Sequence, residues 1–369
     1  MSGLERRRRS PRHAAALLLT LSGAMLGVAS SAASGQVPAP AADSLADSAY
    51  TPSPLYAASE PLALTFTVNI GQLKHDRDDK APWRAASMSY VDGTGRTVSI
   101  PVRAKTHGIW RLKHCDFPPV RLDFSGKVTK GTVFAHVHRP KLVNYCRDSD
   151  QYEQLVLSEF QLYRIYQLLT PISHQVRLLR MTYRDSASGR THAVRYAFLL
   201  EDPEQMAARL AGQLVRQKGA GPNDLEAAPG AMATLFQYMV GGTDFAFSAL
   251  HNTEIVQRLD GSYLPIVYDF DFTGAVNAPY ATPDPQLHTT TVRERVFRGY
   301  CAHRGELPAA AQRVQERREA IYALYRDDIG KLMDPRAVRS TLAYYDDFYD
   351  AIATPQRAER DVFSHCLGR

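Results

Sequence analysis

The chain has 369 residues, a formal net charge of +6, and a composition of 44% hydrophobic and 22% charged residues. Much of the positive charge lies at the start, because residues 1–33 hold five arginines and one acid, Glu5, a net of +4 that leaves +2 for the rest. No basic stripe with interleaved aromatic residues follows, which argues against a nucleic-acid partner.

The first 33 residues have the pattern of an export signal. Arg6 to Arg9 and Arg12 form a basic start, residues 14–28 are small and apolar, and Ser31-Ala32-Ala33 gives a small-x-small cleavage pattern. The apolar run of about 15 residues is shorter than the roughly 20 that a membrane-spanning helix needs. We therefore expect an exported protein, periplasmic or extracellular, with no stable membrane span after processing. A retained anchor is the alternative.

A flexible spacer is predicted for residues 34–61, which are rich in Ala, Ser and Pro. After it, alternating apolar and polar residues predict strands, and a helical period predicts one long helix over 151–169, which Pro171 ends. The predicted strands are 62–70, 88–91, 96–103, 119–124, 175–183 and 192–200.

Beyond Glu201 the pattern becomes mostly helical. An Asp260-Gly261 turn predicts one short hairpin in this part. The predicted helices are 203–215, 231–240, 308–328, 335–349 and 355–365, and the hairpin strands are 254–259 and 263–268. This order predicts an α+β chain of two lobes: a sheet-rich lobe with one long helix over 62–201, and a mostly helical lobe with an embedded hairpin over 202–369.

All four cysteines, Cys115, Cys146, Cys301 and Cys366, follow the predicted leader. Four cysteines allow three pairings, and an oxidising compartment favours disulfides over free thiols. We expect Cys115–Cys146 and Cys301–Cys366, because these pairs would staple two separate regions. No clustered CxxC spacing favours a metal site instead.

The densest polar cluster in an apolar context consists of Asp244, Asn252, Asp269 and Asp271. A carboxylate after a helix, an Asn before a hairpin and two carboxylates after its return strand can converge on one point. Hard oxygen ligands of this kind suit Mg²⁺ or Mn²⁺, with substrate phosphates as further ligands. The pattern predicts a metal–phosphate site. The alternative is that Asp269 and Asp271 only cap the end of a strand.

Several segments in residues 62–279 resemble the spore-coat protein H (CotH) kinase-like family, and especially its exported homologues. The similar segments are CDFPPVRLDF (115–124), GTVF (131–134), KLVNYC (141–146), the helix of 152–169, YAFLLED (196–202) and YDFD (268–271). The resemblance covers somewhat over half of the chain. It implies a bacterial protein with an atypical, two-lobed protein-kinase-like fold that binds ATP and a divalent metal and phosphorylates a secreted protein.

The resemblance also implies roles for single residues. In it, Asp269 and Asp271 are metal-binding acids, and Asp244 and Asn252 form the catalytic-loop pair, with Asn252 on the metal. Glu201 would lie where the nucleotide base is contacted. Lys141 would neutralise phosphate, steadied by an acid on the long helix, Glu159; the alternative is a surface lysine and a helix-face glutamate.

The chain departs from the family pattern at two places. His107-Gly108 stands where the family has Arg-Gly, with Lys105 and Arg111 nearby as further candidate phosphate contacts, and Tyr268 replaces a Trp. Imidazole is mostly neutral near pH 7 and cannot form a bidentate contact with phosphate. Three functions therefore stay open: an ATP-dependent phosphotransferase acting on an exported protein or envelope component, a non-catalytic envelope binding or structural protein, and a metal-dependent hydrolase.

Overall fold

Seven strands close into a barrel in the computed structural model, which describes residues 50–78 and 80–368. Around the barrel the strand order is β1-β2-β3-β4-β5-β7-β6. The strands are β1 (Leu62–Val68), β2 (Arg84–Val91), β3 (Thr97–Thr106), β4 (Val120–Phe124), β5 (Lys141–Val143), β6 (Val176–Asp185) and β7 (Thr191–Leu200). Neighbours are antiparallel except β1 and β6, whose parallel pairing closes the ring.

The barrel forms because its strands alternate. In β1, Leu64, Phe66 and Val68 are buried while the residues between them are more exposed, so one face turns inward. The inward side chains of all the strands form one apolar cluster that fills the barrel. Three short helices lie in the connections: α1 (Ile70–His75), α2 (Trp110–His114) and α3 (Gly126–Thr129).

The long helix α4 (Asp150–Leu169) packs against the outside of β6 and β7. After the barrel come α5 (Pro203–Arg209), β8 (Gly212–Leu214), α6 (Ala227–Val240), β9 (Thr253–Arg258), β10 (Tyr263–Val267), α7 (Leu307–Glu316), α8 (Arg318–Ala323), α9 (Pro335–Ala351) and α10 (Pro355–Asp361). The strands β10, β9 and β8 form a second, antiparallel sheet in that order.

The predicted fold class is wrong. The first sheet is a closed seven-stranded barrel rather than the open sheet of a kinase-like lobe, and the described residues, 50–78 and 80–368, belong to one compact unit of mixed helices and strands. One apolar core joins the outward side chains Leu178, Phe198 and Leu200 of the barrel to α4 and to the later helices. The alternation of single strands could not reveal the closure, because β1 and β6 are far apart in the sequence.

Some boundaries also differ from the prediction. The part of the predicted spacer that the structure describes packs on the barrel, where Leu55 is fully buried; the leader and residues 34–49 lie outside the described residues. The predicted helix 203–215 ends at Arg209, and strand β8 follows at Gly212. A side chain at Gly212 would meet the backbone of Gln257 at 2.4 Å, so glycine allows this close strand pairing.

Both predicted disulfides are present, Cys115–Cys146 and Cys301–Cys366. The first joins the end of α2 to the segment after β5, and the second joins the 3₁₀ turn before α7 to the last described residues. Among residues 50–78 and 80–368, no helix has both the length and the apolar character to cross a membrane.

Candidate functional site

A cavity of about 720 Å³ lies between the outer face of β4 and β5 and the chain around the second sheet. Its walls include Arg121 and Lys141 from the barrel, and Glu254 and Tyr268 from the second sheet and the residue after it. Asp202, at the start of α5, closes one side. The cavity is therefore lined by many charged groups, and the barrel contributes mostly cations.

Three cations stand in a row on the barrel wall. Lys105 of β3 lies directly opposite Arg121 of β4, which lies directly opposite Lys141 of β5. None of the three forms an ion pair with a carboxylate in the part of the chain that the structure describes. Like charges directly opposite each other destabilise a sheet. We call these residues the cation row; its arrangement favours an anionic ligand.

His107 lies in the same positively charged region as the cation row. Burial, and then the charges of Lys141, Arg121 and Arg111, hold the pKa of His107 well below its usual range, so the ring is neutral. Its Nε2 is buried without a hydrogen-bond partner among the described residues. His107 is therefore an uncharged group inside a cationic region.

Lys141 also contacts Tyr268, the residue before the predicted metal-binding acids. Its Nζ lies 3.9 Å from the centre of the Tyr268 ring, a cation–π contact. Glu254 lies nearby and pairs with the buried His174 at 2.9 Å. Burial opposes ionisation of Glu254, but His174, and then Lys141 and Arg216, hold its pKa below the ordinary value.

Next to the cation row lies a cluster of acids, which we call the acid cluster: Glu159 of α4, and Asp269 and Asp271 after β10. Glu159 and Asp271 are 3% and 6% exposed, whereas Asp269 is exposed. Burial raises the pKa of Glu159 well above its usual range, and the charges of Asp271 and Asp269 raise it further, against the opposing effect of Arg111. Burial and Asp269 raise the pKa of Asp271 to about 7. Burial is thus the main cause of both raised pKa values, and the neighbouring carboxylates add to it.

Arg111 and Tyr280 lie beside the acid cluster. The Tyr280 hydroxyl donates a hydrogen bond of 3.1 Å to Asp271 Oδ2. The Arg111 guanidinium donates to the carbonyl of Asn144, next to the Cys115–Cys146 disulfide. Arg111, predicted to contact phosphate, lies close enough to Asp271, Glu159 and Asp269 for their charges to act on it.

The predicted catalytic-loop pair is in contact. Asn252 Nδ2 donates to Asp244 Oδ2 at 3.0 Å and to the Asp244 carbonyl at 2.8 Å. His251 Nε2 lies 2.7 Å from Asp244 Oδ1. The carbonyl of Asn252 accepts a hydrogen bond from the N–H of Tyr268, which places this loop against the chain that leads to Asp269.

Three residues of this region have a left-handed backbone conformation. Leu250, Asn252 and Asp269 adopt the left-handed region, with φ of 49°, 48° and 63°. Such a conformation is uncommon for residues other than glycine and is often found at functional sites. The N–H of Asp269 donates to the Tyr163 hydroxyl at 2.9 Å, which helps to hold this geometry.

Lys141 and Glu201 form contacts that differ from the predicted ones. Lys141 does not form an ion pair with Glu159 among the described residues; the cation that acts on Glu159 is Arg111. Glu201 is buried, and its carboxylate accepts from Arg209 and from the N–H of Gln175. Its side chain is therefore already bonded within the protein.

Sequence reasoning missed Arg121, the His174–Glu254 pair and Tyr280. The alternation in 119–124 indicates that Arg121 points outward, but only the strand register places it between Lys105 and Lys141. Tyr280 carries no pattern that links it to Asp271.

Within the part of the chain that the structure describes, no three or more His, Cys, Asp or Glu side chains form a group that could hold a metal ion. No family model matches the chain. A search of curated proteins gave no match either.

Proposed function

We propose that this protein is an exported phosphotransferase that uses ATP and a divalent cation, Mg²⁺ or Mn²⁺, to phosphorylate an exported protein or an envelope component. The observation that carries the proposal is the cation row, of which Arg121 and Lys141 line the cavity. The two disulfides support export, since disulfides persist in oxidising compartments. The motifs similar to the CotH family support the choice of reaction, and membership of that family is part of the proposal.

The cavity suits the nucleotide. Its volume of about 720 Å³ falls within the roughly 300–1,000 Å³ typical of small-molecule sites. In this proposal the phosphates lie along Lys105, Arg121 and Lys141, because triphosphate oxygens would offset the repulsion between these cations. Arg121 can donate two parallel hydrogen bonds to phosphate, whereas the lysines act as point charges.

Asp269 and Asp271 fit the divalent cation, with Asn252 as the predicted third protein ligand. Mg²⁺ is usually bound by one or two carboxylates together with water and substrate phosphates, so a set of three acids is not required. Glu159 and Asp271 are buried carboxyls whose pKa values are raised first by burial and then by the charges of their acidic neighbours, and a bound cation would favour their ionised forms. Asp269, Asp271 and Asn252 would hold the cation, which would supply positive charge against the negative charge of the phosphates.

The hydroxyl that accepts the phosphate would approach at the loop that carries Asp244. The Asp244 side chain is 47% exposed, so a substrate hydroxyl can reach it. Asn252 holds one carboxylate oxygen of Asp244, and the hydrogen bond from Tyr268 to Asn252 ties this loop to the residue before Asp269. In this proposal the donor and acceptor sites adjoin.

The test is transfer of labelled γ-phosphate from ATP, with Mn²⁺, to an envelope extract or to the protein itself. The wild type should label protein, and Asp269→Ala should not. Asp328→Ala, at a residue 98% exposed on the surface, is the matched control and should label like the wild type.

Equal, background labelling by the wild type and Asp269→Ala would reject the proposal. Metal-dependent release of free phosphate without labelled protein would instead identify a hydrolase. A protein that gives neither product and gains no stability from ATP would be a non-catalytic binding or structural protein.

A further inference from the structure

Arg298 contacts both residues that flank Asp244. Its guanidinium donates a hydrogen bond to the carbonyl oxygen of Thr243. The same guanidinium lies over the Phe245 ring, with Cζ 5.5 Å from the ring centre, a cation–π contact. Because 55 residues separate Arg298 from Thr243 along the chain, only the fold brings these groups together. The two contacts hold the loop on either side of the proposed catalytic carboxylate.

The loop places buried and exposed side chains next to each other. Phe245 and Phe247 are 5% and 1% exposed, whereas Asp244 is exposed. The two phenylalanine rings pack edge to face, with their centres 5.7 Å apart. Since Phe245 is anchored in the core and Asp244 precedes it directly, a contact that fixes Phe245 also limits where the Asp244 carboxylate can point.

The chain around Arg298 is itself held in place. The N–H of Leu367 donates to the Gly299 carbonyl at 2.8 Å, and the N–H of Cys301 donates to the Leu367 carbonyl at 2.9 Å. The Cys301–Cys366 disulfide joins the same two segments. Arg298 therefore reaches the loop from a segment that is fixed by hydrogen bonds and by a covalent bond.

Arg293, in the same segment, makes similar contacts elsewhere. Its guanidinium donates to the Gly274 carbonyl at 3.3 Å and lies 4.4 Å from the centre of the Tyr344 ring. Like Arg298, it combines a backbone carbonyl with an aromatic face, but neither contact involves a residue next to Asp244. Arg293 is therefore the matched control for the loss of such an arginine.

Resting on the proposed function, we infer that Arg298 is a positioning residue that fixes the loop so that the Asp244 carboxylate faces the acceptor hydroxyl. Arg298 acts only through Thr243 and Phe245. Its removal leaves the Asp244 carboxylate in place chemically but less well located. A displacement of about 1 Å can cost on the order of 100-fold in rate. The effect should fall on kcat, because ATP binding depends on the cation row.

The test measures transfer of labelled phosphate from ATP, with Mn²⁺, by Arg298→Ala, Arg298→Lys and Arg293→Ala. Arg298→Ala should lose about 100-fold in kcat with KM for ATP unchanged. Arg298→Lys keeps a donor for the Thr243 carbonyl and should recover part of the rate. Arg293→Ala should turn over like the wild type. Wild-type kcat in Arg298→Ala, an equal loss in Arg293→Ala, a loss confined to KM, or no recovery by lysine would overturn the inference.

Amide hydrogen exchange tests the positioning without turnover. The N–H groups of Ala246 and His251 each donate to the other residue's carbonyl across the loop. Both should exchange faster in Arg298→Ala than in the wild type, and at wild-type rates in Arg293→Ala, because only the first change loosens this loop. Unchanged exchange in Arg298→Ala would overturn the inference. A wild type that transfers no phosphate would reject the proposed function, whereas the exchange rates would still show whether Arg298 holds the loop.

Discussion

Arg121 stands directly opposite Lys141 on neighbouring strands, with no carboxylate of the described chain paired to either. Sheets usually place opposite charges across such a pair, because like charges there are destabilising. The arrangement is explained if a ligand supplies the missing negative charge. The proposed nucleotide site depends on this opposition of Arg121 and Lys141.

Arg121→Ala should weaken ATP binding without destabilising the free protein. Removing the central cation of the row should leave the free energy of unfolding unchanged or raise it by about 0.2–1 kcal/mol. Denaturant unfolding and calorimetric titration with ATP and Mg²⁺ measure the two effects. Arg339→Ala, at an exposed arginine of α9, is the control and should change neither. A clear loss of stability with unchanged ATP affinity would show that Arg121 is structural.

Asp271→Asn should change how stability depends on pH. The pKa of Asp271 rises from 3.8 in the unfolded chain to about 7 in the fold. The contribution of its carboxyl to the free energy of unfolding is therefore complete below about pH 4 and is lost as the pH rises through 7. At about 1.36 kcal/mol per pKa unit, the loss is on the order of 4 kcal/mol at most.

Urea unfolding across pH 4–8, with a chelator and without nucleotide, measures this effect. The wild type should lose stability relative to Asp271→Asn as the pH rises, and Asp328→Asn should follow the wild type. Parallel curves for the wild type and Asp271→Asn would show that burial of this acid has no such energetic effect.

Removal of each disulfide should have a different effect on ATP affinity. In the chain-entropy model each contributes about 4 kcal/mol. The double variant Cys115→Ser/Cys146→Ser should also lose ATP affinity, because this bond lies next to the Asn144 carbonyl that holds Arg111. Removal of Cys301–Cys366 should lower stability but leave the affinity of the folded protein intact. Equal effects of both changes on affinity would contradict this assignment.

Asp269 should show a conflict between stability and function. Its φ of 63° suits glycine, whereas a residue with a Cβ is strained there. Asp269→Gly should be about 1 kcal/mol more stable than Asp269→Ala, and both should lose metal-dependent nucleotide binding. Denaturant midpoints compare the two variants, and an alanine variant as stable as the glycine variant would rule out strain at this position.

Local features of the fold could be predicted from the sequence. The helix over 151–169 was close to the observed α4, because its apolar residues keep a helical period and Pro171 marks its end. The hairpin around Asp260-Gly261 and both cysteine pairings were also predicted correctly.

Features that depend on distant pairing could not be predicted. The closure of the barrel rests on the β1–β6 pair, and β5 has only three residues, too few to show a period. The same limit applies to the candidate site. Asp244 and Asn252 were predicted together from the sequence. The opposition of Arg121 and Lys141 depends on the register between strands, and the sequence of a single strand carries no signal of that register.

The most direct test of the account is equilibrium unfolding of the wild type with increasing ATP and Mg²⁺. A ligand at 100 times its dissociation constant should raise the free energy of unfolding by about 2.7 kcal/mol, and the variant with Lys105, Arg121 and Lys141 all changed to alanine should show no rise. A wild type whose free energy of unfolding stays constant over the whole titration would contradict the claim that the cation row binds nucleotide.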